Sequence, residues 1–298
     1  MTAAAADNEQ LFLGVDGGGT GCRARLEDHA GNVVGVGIAG PAATRFGIEA
    51  SWGSIETACR HAILEAGLDP AAVAKIRAGI GVAGINRKGA REAFEQIPHP
   101  FASIAFSSDA MIACLGAHCG RDGGIVIVGT GSCAIGRVDG RDIRFGGYGF
   151  PISDEGSGAD LGLRALQLAL RAHDGRENRS ALTREMMARF HDDPVEVVTW
   201  MDRATATEYA TFAPLVLRHA DHGDAVARQV VQAAAEQINS HVRALLAVHV
   251  PRVSLIGGLA STVEPWLAPD VRRRLSLPLG DAVTGALTLA GRLPLAPD

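Results

Sequence analysis

Leu11-Phe12-Leu13-Gly14-Val15-Asp16-Gly17-Gly18-Gly19-Thr20, followed by Gly21-Cys22-Arg23-Ala24-Arg25-Leu26, decides the fold. Leu11 to Val15 is an apolar run of the length of a buried strand, and Cys22 to Leu26 alternates as a second strand does. Asp28 to Asn32 reads as a turn and Val33 to Ile38 as a third strand. The opening is therefore an antiparallel meander. Its glycine turn sits between two strands rather than between a strand and a helix, so it is not a dinucleotide fingerprint. It is a hairpin whose backbone N–H groups can cradle a polyphosphate.

Outward from the meander, Ser51 to Ala66 reads as a helix with Ile55, Ala58, Ala62 and Ala66 on one stripe and Gly67 as its stop. Ile76 to Val82 is a strand, Arg87 to Gln96 a helix and Phe101 to Phe106 a strand, and a helix starts at Ala110. The order then restarts. Gly124 to Val128 is a buried strand ending in Gly129-Thr130-Gly131-Ser132, and Cys133 to Val138 and Asp142 to Phe145 are two more strands. Residues 158–250 read as helical, with breaks near Asp174, Asp192 and Asp221. Arg252 to Ile256 is a strand closed by Gly257-Gly258, and Asp281 to Ala290 a final helix. The expectation is a duplicated α/β fold with domains at 1–117 and 118–298 flanking a cleft, the final helix packing back on the first domain. One large α/β domain is the alternative.

Composition narrows the function. The chain has 298 residues, 47% hydrophobic and 20% charged, which are globular values. A net charge of -5 argues against an electrostatic nucleic-acid binder. No apolar stretch reaches the ~18 residues of a membrane span. Five scattered cysteines without a framework spacing read as reduced thiols in a cytoplasmic protein. His219 and His222 read as surface histidines, not as a metal site. Lys75 and Lys88 are the only two lysines, against 28 basic residues in all. Neither is followed by Ser or Thr, so there is no Walker A loop, and the protein-kinase motif set is missing too. A nucleotide would have to be held by backbone, hydroxyls and Mg²⁺.

Two hairpins supply such groups: Asp16, Gly17, Gly18, Gly19 and Thr20 in the first half, and Gly129, Thr130, Gly131 and Ser132 in the second. Asp16 ends its strand, a place for a carboxylate that holds hydrated Mg²⁺. Gly257 and Gly258 offer bare backbone to a nucleoside base, or form a simple strand-to-helix turn.

The order Asp-Gly-Gly-Gly-Thr, Ser-Asp-Ala, Gly-Thr-Gly-Ser and Ile-Gly-Gly resembles the actin/Hsp70/sugar-kinase superfamily, whose domains have a ribonuclease-H-like fold. Gly146-Gly147-Tyr148-Gly149-Phe150-Pro151-Ile152-Ser153-Asp154-Glu155-Gly156-Ser157-Gly158 is similar to a segment of N-acetylglucosamine and glucosamine kinases in the BadF/BadG/BcrA/BcrD ATPase group. The similarity runs from about Leu11 to Ala290. It implies ATP and Mg²⁺ as cofactors, a small-molecule sugar as substrate and a homodimer.

Phosphorylating a hydroxyl needs a base and a positioned acceptor. Asp109, in Ser107-Ser108-Asp109-Ala110, is a cleft-facing base or a helix N-cap by position alone. The resemblance makes it the catalytic base. Asp154 and Glu155, before the helix that contains Leu161, are dipole partners of a helix start or acceptors of sugar hydroxyls by position alone. The resemblance makes Gly147 and Asp154 sugar contacts. Tyr148 belongs to the pocket wall or to the core. The family's sugar-binding Asn after the third strand is missing from Gly40-Pro41-Ala42-Ala43-Thr44. Thr44, or Asn86 from Gly84-Ile85-Asn86, stands in for it, which leaves the preferred sugar open.

The expected activity is an ATP-dependent kinase acting on the 6-hydroxyl of an amino sugar. The rival is a BadF-type ATPase that drives electron transfer to a dehydratase or reductase. Such activators bridge an iron–sulfur cluster with second-domain cysteines, and none occurs after Cys133. A sugar sensor or filament protein is the third class. A sensor would need a DNA-binding segment that the ten residues before Leu11 do not supply.

Overall fold

The computed structural model describes residues 10–292. The chain forms two compact units, one of residues up to Gly123 together with those from Pro278, the other Gly124–Leu277. The boundary expected after residue 117 falls six residues later, and the final helix packs back on the first unit as expected.

In the first unit, β1 (Leu11–Gly17), β2 (Cys22–Asp28) and β3 (Val33–Ala39) make the meander. Helix α1 (Ile48–Glu65) and the single turn α2 (Pro70–Val73) lead to β4 (Arg77–Val82). Helix α3 (Ala90–Glu95), β5 (Ser103–Ser108) and α4 (Asp109–Ala117) follow. The sheet order is β3-β2-β1-β4-β5, with β4 parallel to both β1 and β5. Strand β5 starts two residues later than the sequence suggests because its parallel register pairs Arg77 with Ser103 and Val82 with Ser108. Asp109 therefore follows the strand directly.

Alternation along β1 sends Leu13 and Val15 into the core under α1, while Gly14 and Asp16 point to the other face. Helix α1 starts earlier than the stripe implies, directly after Gly47 at φ 96°. The buried side chains Ile55, Ala58, Cys59 and Ala62 then face the meander.

The second unit repeats the plan. Strands β6 (Gly123–Val128), β7 (Ser132–Val138), β8 (Arg141–Gly146) and β9 (Val253–Ile256) lie in the order β8-β7-β6-β9, with β9 parallel to β6. A meander of three strands followed by a parallel fourth thus occurs in both sheets. Between β8 and β9 run α5 (Gly158–His173), α6 (Ala181–Ala188), α7 (Pro194–Met201), α8 (Ala206–Ala210), α9 (Ala213–Asp221) and α10 (Ala225–Ala247). The expected breaks coincide with side-chain caps, Ser180 for α6, Asp193 for α7 and Asp224 for α10. A further break at Thr205 carries a capping box with Glu208. Turns α11 (Ala260–Val263) and α12 (Pro269–Arg272) follow β9.

The last helix, α13 (Ala282–Leu289), packs on α4, β1 and β4 of the first unit. A Cβ on Gly285 would lie 1.7 Å from the Ile112 carbonyl oxygen, so the two helices approach backbone to backbone. No helix among the described residues is long and apolar enough to cross a membrane. Because that contact has no room for a methyl group, Gly285→Ala should cost about 1–3 kcal/mol or more by overpacking. Equilibrium denaturation checks this, and the same change at exposed Gly53, where a Cβ meets nothing within 4 Å, should not destabilise.

Candidate active site

In the first unit the loops at the C-terminal ends of the parallel strands are tied together by backbone. The N–H of Gly18 donates to Gly21 at 2.9 Å and closes the hairpin. The N–H of Ala42 donates to Gly18 O at 2.9 Å, that of Ala83 to Gly17 O at 2.8 Å and that of Thr44 to Ala83 O at 2.9 Å. The Thr44 hydroxyl donates to Gly84 O at 3.1 Å. Thr44 and the exposed Asn86 thus sit on adjoining loops, while Thr20 projects from the hairpin into solvent.

Asp16 ends β1 on the face covered by α4 and α13. Its Oδ2 receives an N–H of Arg23, the residue opposite it on β2, at 2.8 Å. Burial, helped by the Asp16 charge, pushes the Cys22 thiol up to about 12, so Cys22 stays protonated and is no nucleophile. Asp109 is half-buried at the first position of α4. The cap of that helix is Ser108, whose side chain accepts the Met111 N–H at 3.1 Å. Capping is therefore not what Asp109 does.

In the second unit three predicted elements meet. The Gly158 N–H donates to Gly129 O at 2.8 Å and the Ala159 N–H to Thr130 O at 3.1 Å. The Ser132 hydroxyl donates to Glu155 O at 2.7 Å. A Cβ on Gly131 would stand 3.0 Å from the Asp154 carboxyl, so only bare backbone lets the hairpin lie against that side chain. The end of β9 joins them, since the Leu259 N–H donates to Val128 O at 3.0 Å. A Cβ on Gly258 would meet nothing within 4 Å, which leaves its backbone open to a ligand.

Asp154 and Glu155 precede α5 rather than begin it. Ser157 caps that helix by accepting the Asp160 N–H, so the two carboxylates are not dipole partners of its first turn. Asp154 has φ 69°, a left-handed conformation that Asp tolerates better than most residues. Burial pushes its carboxyl above the usual aspartate range, and the neighbouring Glu155 charge adds to this. Backbone N–H groups of Ser132 and Phe150 oppose the rise.

Sequence reasoning passed over two side chains here. Arg144 of β8 donates to the carbonyls of Gly146 and Gly147, and its guanidinium lies 5.4 Å from the Tyr148 ring centroid. Tyr148 is 78% exposed, which settles that it is not core. His241 of α10 packs under Gly146, where a Cβ would be 2.5 Å from Nε2. Burial lowers its pKa, so its ring is neutral at neutral pH. Arg144 acts from the strand that ends in Gly146, whereas His241 acts from an element distant in sequence and has no local motif. His219 is half-buried against Glu185 at 2.8 Å rather than a surface residue, and only His222 is exposed.

Two sheets with the same meander-plus-parallel order, each carrying a glycine hairpin at its first turn, define a duplicated ribonuclease-H-like ATPase fold of the actin-like type. The family model of the BadF/BadG/BcrA/BcrD ATPases matches residues 13–290, and the chain belongs to that family. It is 39% identical over 281 residues to the glucosamine kinase GspK of Vibrio cholerae, covering 94% of this chain and 96% of that one. A crystal structure from Chromobacterium violaceum, named as a candidate N-acetylglucosamine kinase, is similar with a TM-score of 0.83 and 38% identity over 94% of this chain and 99% of the other. A hexokinase of the ROK type from Thermus thermophilus shares the fold, with a TM-score of 0.54 and 21% identity over 94% and 98% of the two chains.

The Asp154 carboxyl supplies a pH test. A raised folded-state pKa costs stability once pH climbs past the unfolded value, here 3.8, and the cost is complete above the folded value. Asp154→Asn, which keeps an oxygen for the Ser132 N–H, should melt higher than the parent at pH 7. The difference should vanish below about pH 4. Melting curves across that range check both signs.

Proposed function

We propose that this protein is an ATP-dependent hexosamine kinase that phosphorylates the 6-hydroxyl of glucosamine or N-acetylglucosamine. The observation that carries the reading is the direct hydrogen bonding of the Gly129–Ser132 hairpin to the segment around Asp154 and Glu155. A nucleotide hydrolase needs phosphate-binding backbone but no loop of hydroxyl-accepting carboxylates beside it. The names of the relatives in Vibrio cholerae and Chromobacterium violaceum support the same substrate class.

In this reading Gly17–Thr20 and Gly129–Ser132 bind phosphates through backbone N–H groups and hydroxyls, and Gly257-Gly258 faces the nucleoside. Asp154, Glu155 and Gly147 bind the sugar hydroxyls, and Thr44 and Asn86 complete the contacts from the first unit. Asp109 takes the proton of the attacking hydroxyl. The sugar oxygen bonds to the γ-phosphorus as the bond to the β–γ bridging oxygen breaks and ADP leaves.

Mg²⁺ with a nucleotide keeps most of its waters and asks the protein for one or two carboxylates. Asp16, next to the last residue of β1 and paired with Arg23, fits that requirement. Among the described residues there is no cage of three or more His, Cys, Asp or Glu, and a phosphate-bound Mg²⁺ does not need one. The ion, when bound, neutralises charge on the phosphates. No disulfide joins any of the five cysteines, as a cytoplasmic protein would have it. The homodimer that the family resemblance implies would find exposed apolar side chains at Val195, Val198 and Met201 of α7.

Asp109→Asn should lower kcat by about 10²–10⁴-fold and leave nucleotide affinity within about threefold, because the base acts only in the transition state. Isothermal titration and stopped-assay turnover check the two halves. Phosphorus-coupled carbon NMR of the product places the phosphate. Coupling at carbon 6 is expected, and coupling at carbon 1 would replace the assigned hydroxyl.

A further inference from the structure

We propose that Arg23 is a catalytic residue, the cation that grips the terminal phosphate of the nucleotide by changing partner from Asp16 to that phosphate. This rests on the kinase reading above and adds to it a cation from β2, outside the glycine turn. Phosphoryl transfer spreads negative charge over three oxygens, and a positioned cation is among the strongest means of stabilising it. The chain has two lysines, Lys75 before β4 and Lys88 in the loop after it, and neither is in a glycine hairpin. The hairpin instead carries an arginine one residue into β2.

Three observations single Arg23 out. Its register partner is Asp16, so the two side chains leave the sheet on the same face at the mouth of the Gly17–Gly21 turn. Its guanidinium holds Asp16 Oδ2 at 2.8 Å, yet the side chain is 58% exposed against 17% for Asp16, so its remaining N–H groups can take a new acceptor. Arg25, two residues along the same face, shows the contrast. It is 24% exposed and committed to Glu27 at 2.9 Å and Thr284 at 2.8 Å, with Asp281 at 3.6 Å. One arginine is built into the protein and the other is held at its edge by a single carboxylate and the nearby Asp281 charge.

The exchange is chemically balanced. A terminal phosphate carries more charge than one carboxylate and presents the oxygens that a planar guanidinium binds in pairs. When Arg23 turns to it, Oδ2 of Asp16 is released to face the hydration shell of Mg²⁺. Arg23 would thus distinguish ATP from ADP and keep Asp16 neutralised while no nucleotide is bound.

The test compares the parent with Arg23→Gln and Arg23→Lys. Isothermal titration with Mg²⁺ measures the affinity for ADP and for a non-hydrolysable ATP analogue, and ADP release with glucosamine or N-acetylglucosamine measures turnover. Thermal melting verifies that the exposed substitution leaves the fold intact. In Arg23→Gln the preference for the analogue over ADP should fall by about tenfold and kcat by about 10²-fold or more. Arg23→Lys should recover part of both, as charge without the fork. A purely structural role would leave the analogue-to-ADP ratio unmoved. An unchanged ratio and a kcat within about threefold of the parent in Arg23→Gln would overturn the proposal. The parent's own sugar-stimulated turnover reports on the kinase reading separately. If it is missing while the ratio still depends on Arg23, the kinase reading fails and the phosphate contact stands.

Discussion

The hydrogen bonds from the Gly129–Ser132 turn to the start of α5 are the interaction on which the second unit's site depends. They satisfy N–H groups that a helix N-terminus leaves without partners. They do so with carbonyls of the hairpin, so that the hairpin backbone and the acidic segment before the helix cannot move apart. The cost falls on Asp154, which sits in a left-handed conformation with its carboxyl pressed against Gly131 and held above its usual pKa. Strain and desolvation of this kind persist only where the surroundings over-determine them, and they gather at functional sites.

The first unit solves the same problem with other parts. Its hairpin is anchored by Ala42 and Ala83, whose N–H groups reach the glycine carbonyls. Thr44 is drawn into that web through both its backbone and its hydroxyl. An Asn would bring two donors and an acceptor where Thr44 has one hydroxyl, already engaged by Gly84. Under the proposed function, that leaves Thr44 with less capacity for a sugar hydroxyl than an Asn would have. On the α13 face, the charges of Asp16, Arg23, Arg25, Glu27 and Asp281 form one row, which links the glycine-hairpin end of the sheet to the returning C-terminal helix.

Much of this was legible in the sequence because local rules agreed with the global fold. The meander, both glycine hairpins and the caps of the helical insert all carry short-range signals in turns, alternation and Ser or Asp caps. The two ambiguities about Asp109 and Asp154 could not be resolved from residue type, since a carboxylate near a helix start serves equally as cap or as ligand. The neighbouring serines, Ser108 and Ser157, take the caps and so remove the capping role from both carboxylates. What was not legible depends on long-range packing. The return of the final helix to the first unit was expected, but the backbone-to-backbone contact of α4 with α13, through Gly116 and Gly285, was not, because small residues carry no periodic signature. His241 reaches Gly146 from a helix nearly a hundred residues further on. The shift of β5 follows from pairing with β4, which no property of β5 alone encodes.

In the proposed function the hairpins bind nucleotide so that an amino sugar is phosphorylated. Initial rates of ADP release by the unmodified protein, measured with ATP and Mg²⁺ over glucosamine, N-acetylglucosamine, glucose and no sugar, test it most directly. The account predicts slow release without sugar and a rise of about 10²-fold or more with at least one of the two amino sugars. ADP release that is the same with and without every sugar would contradict it.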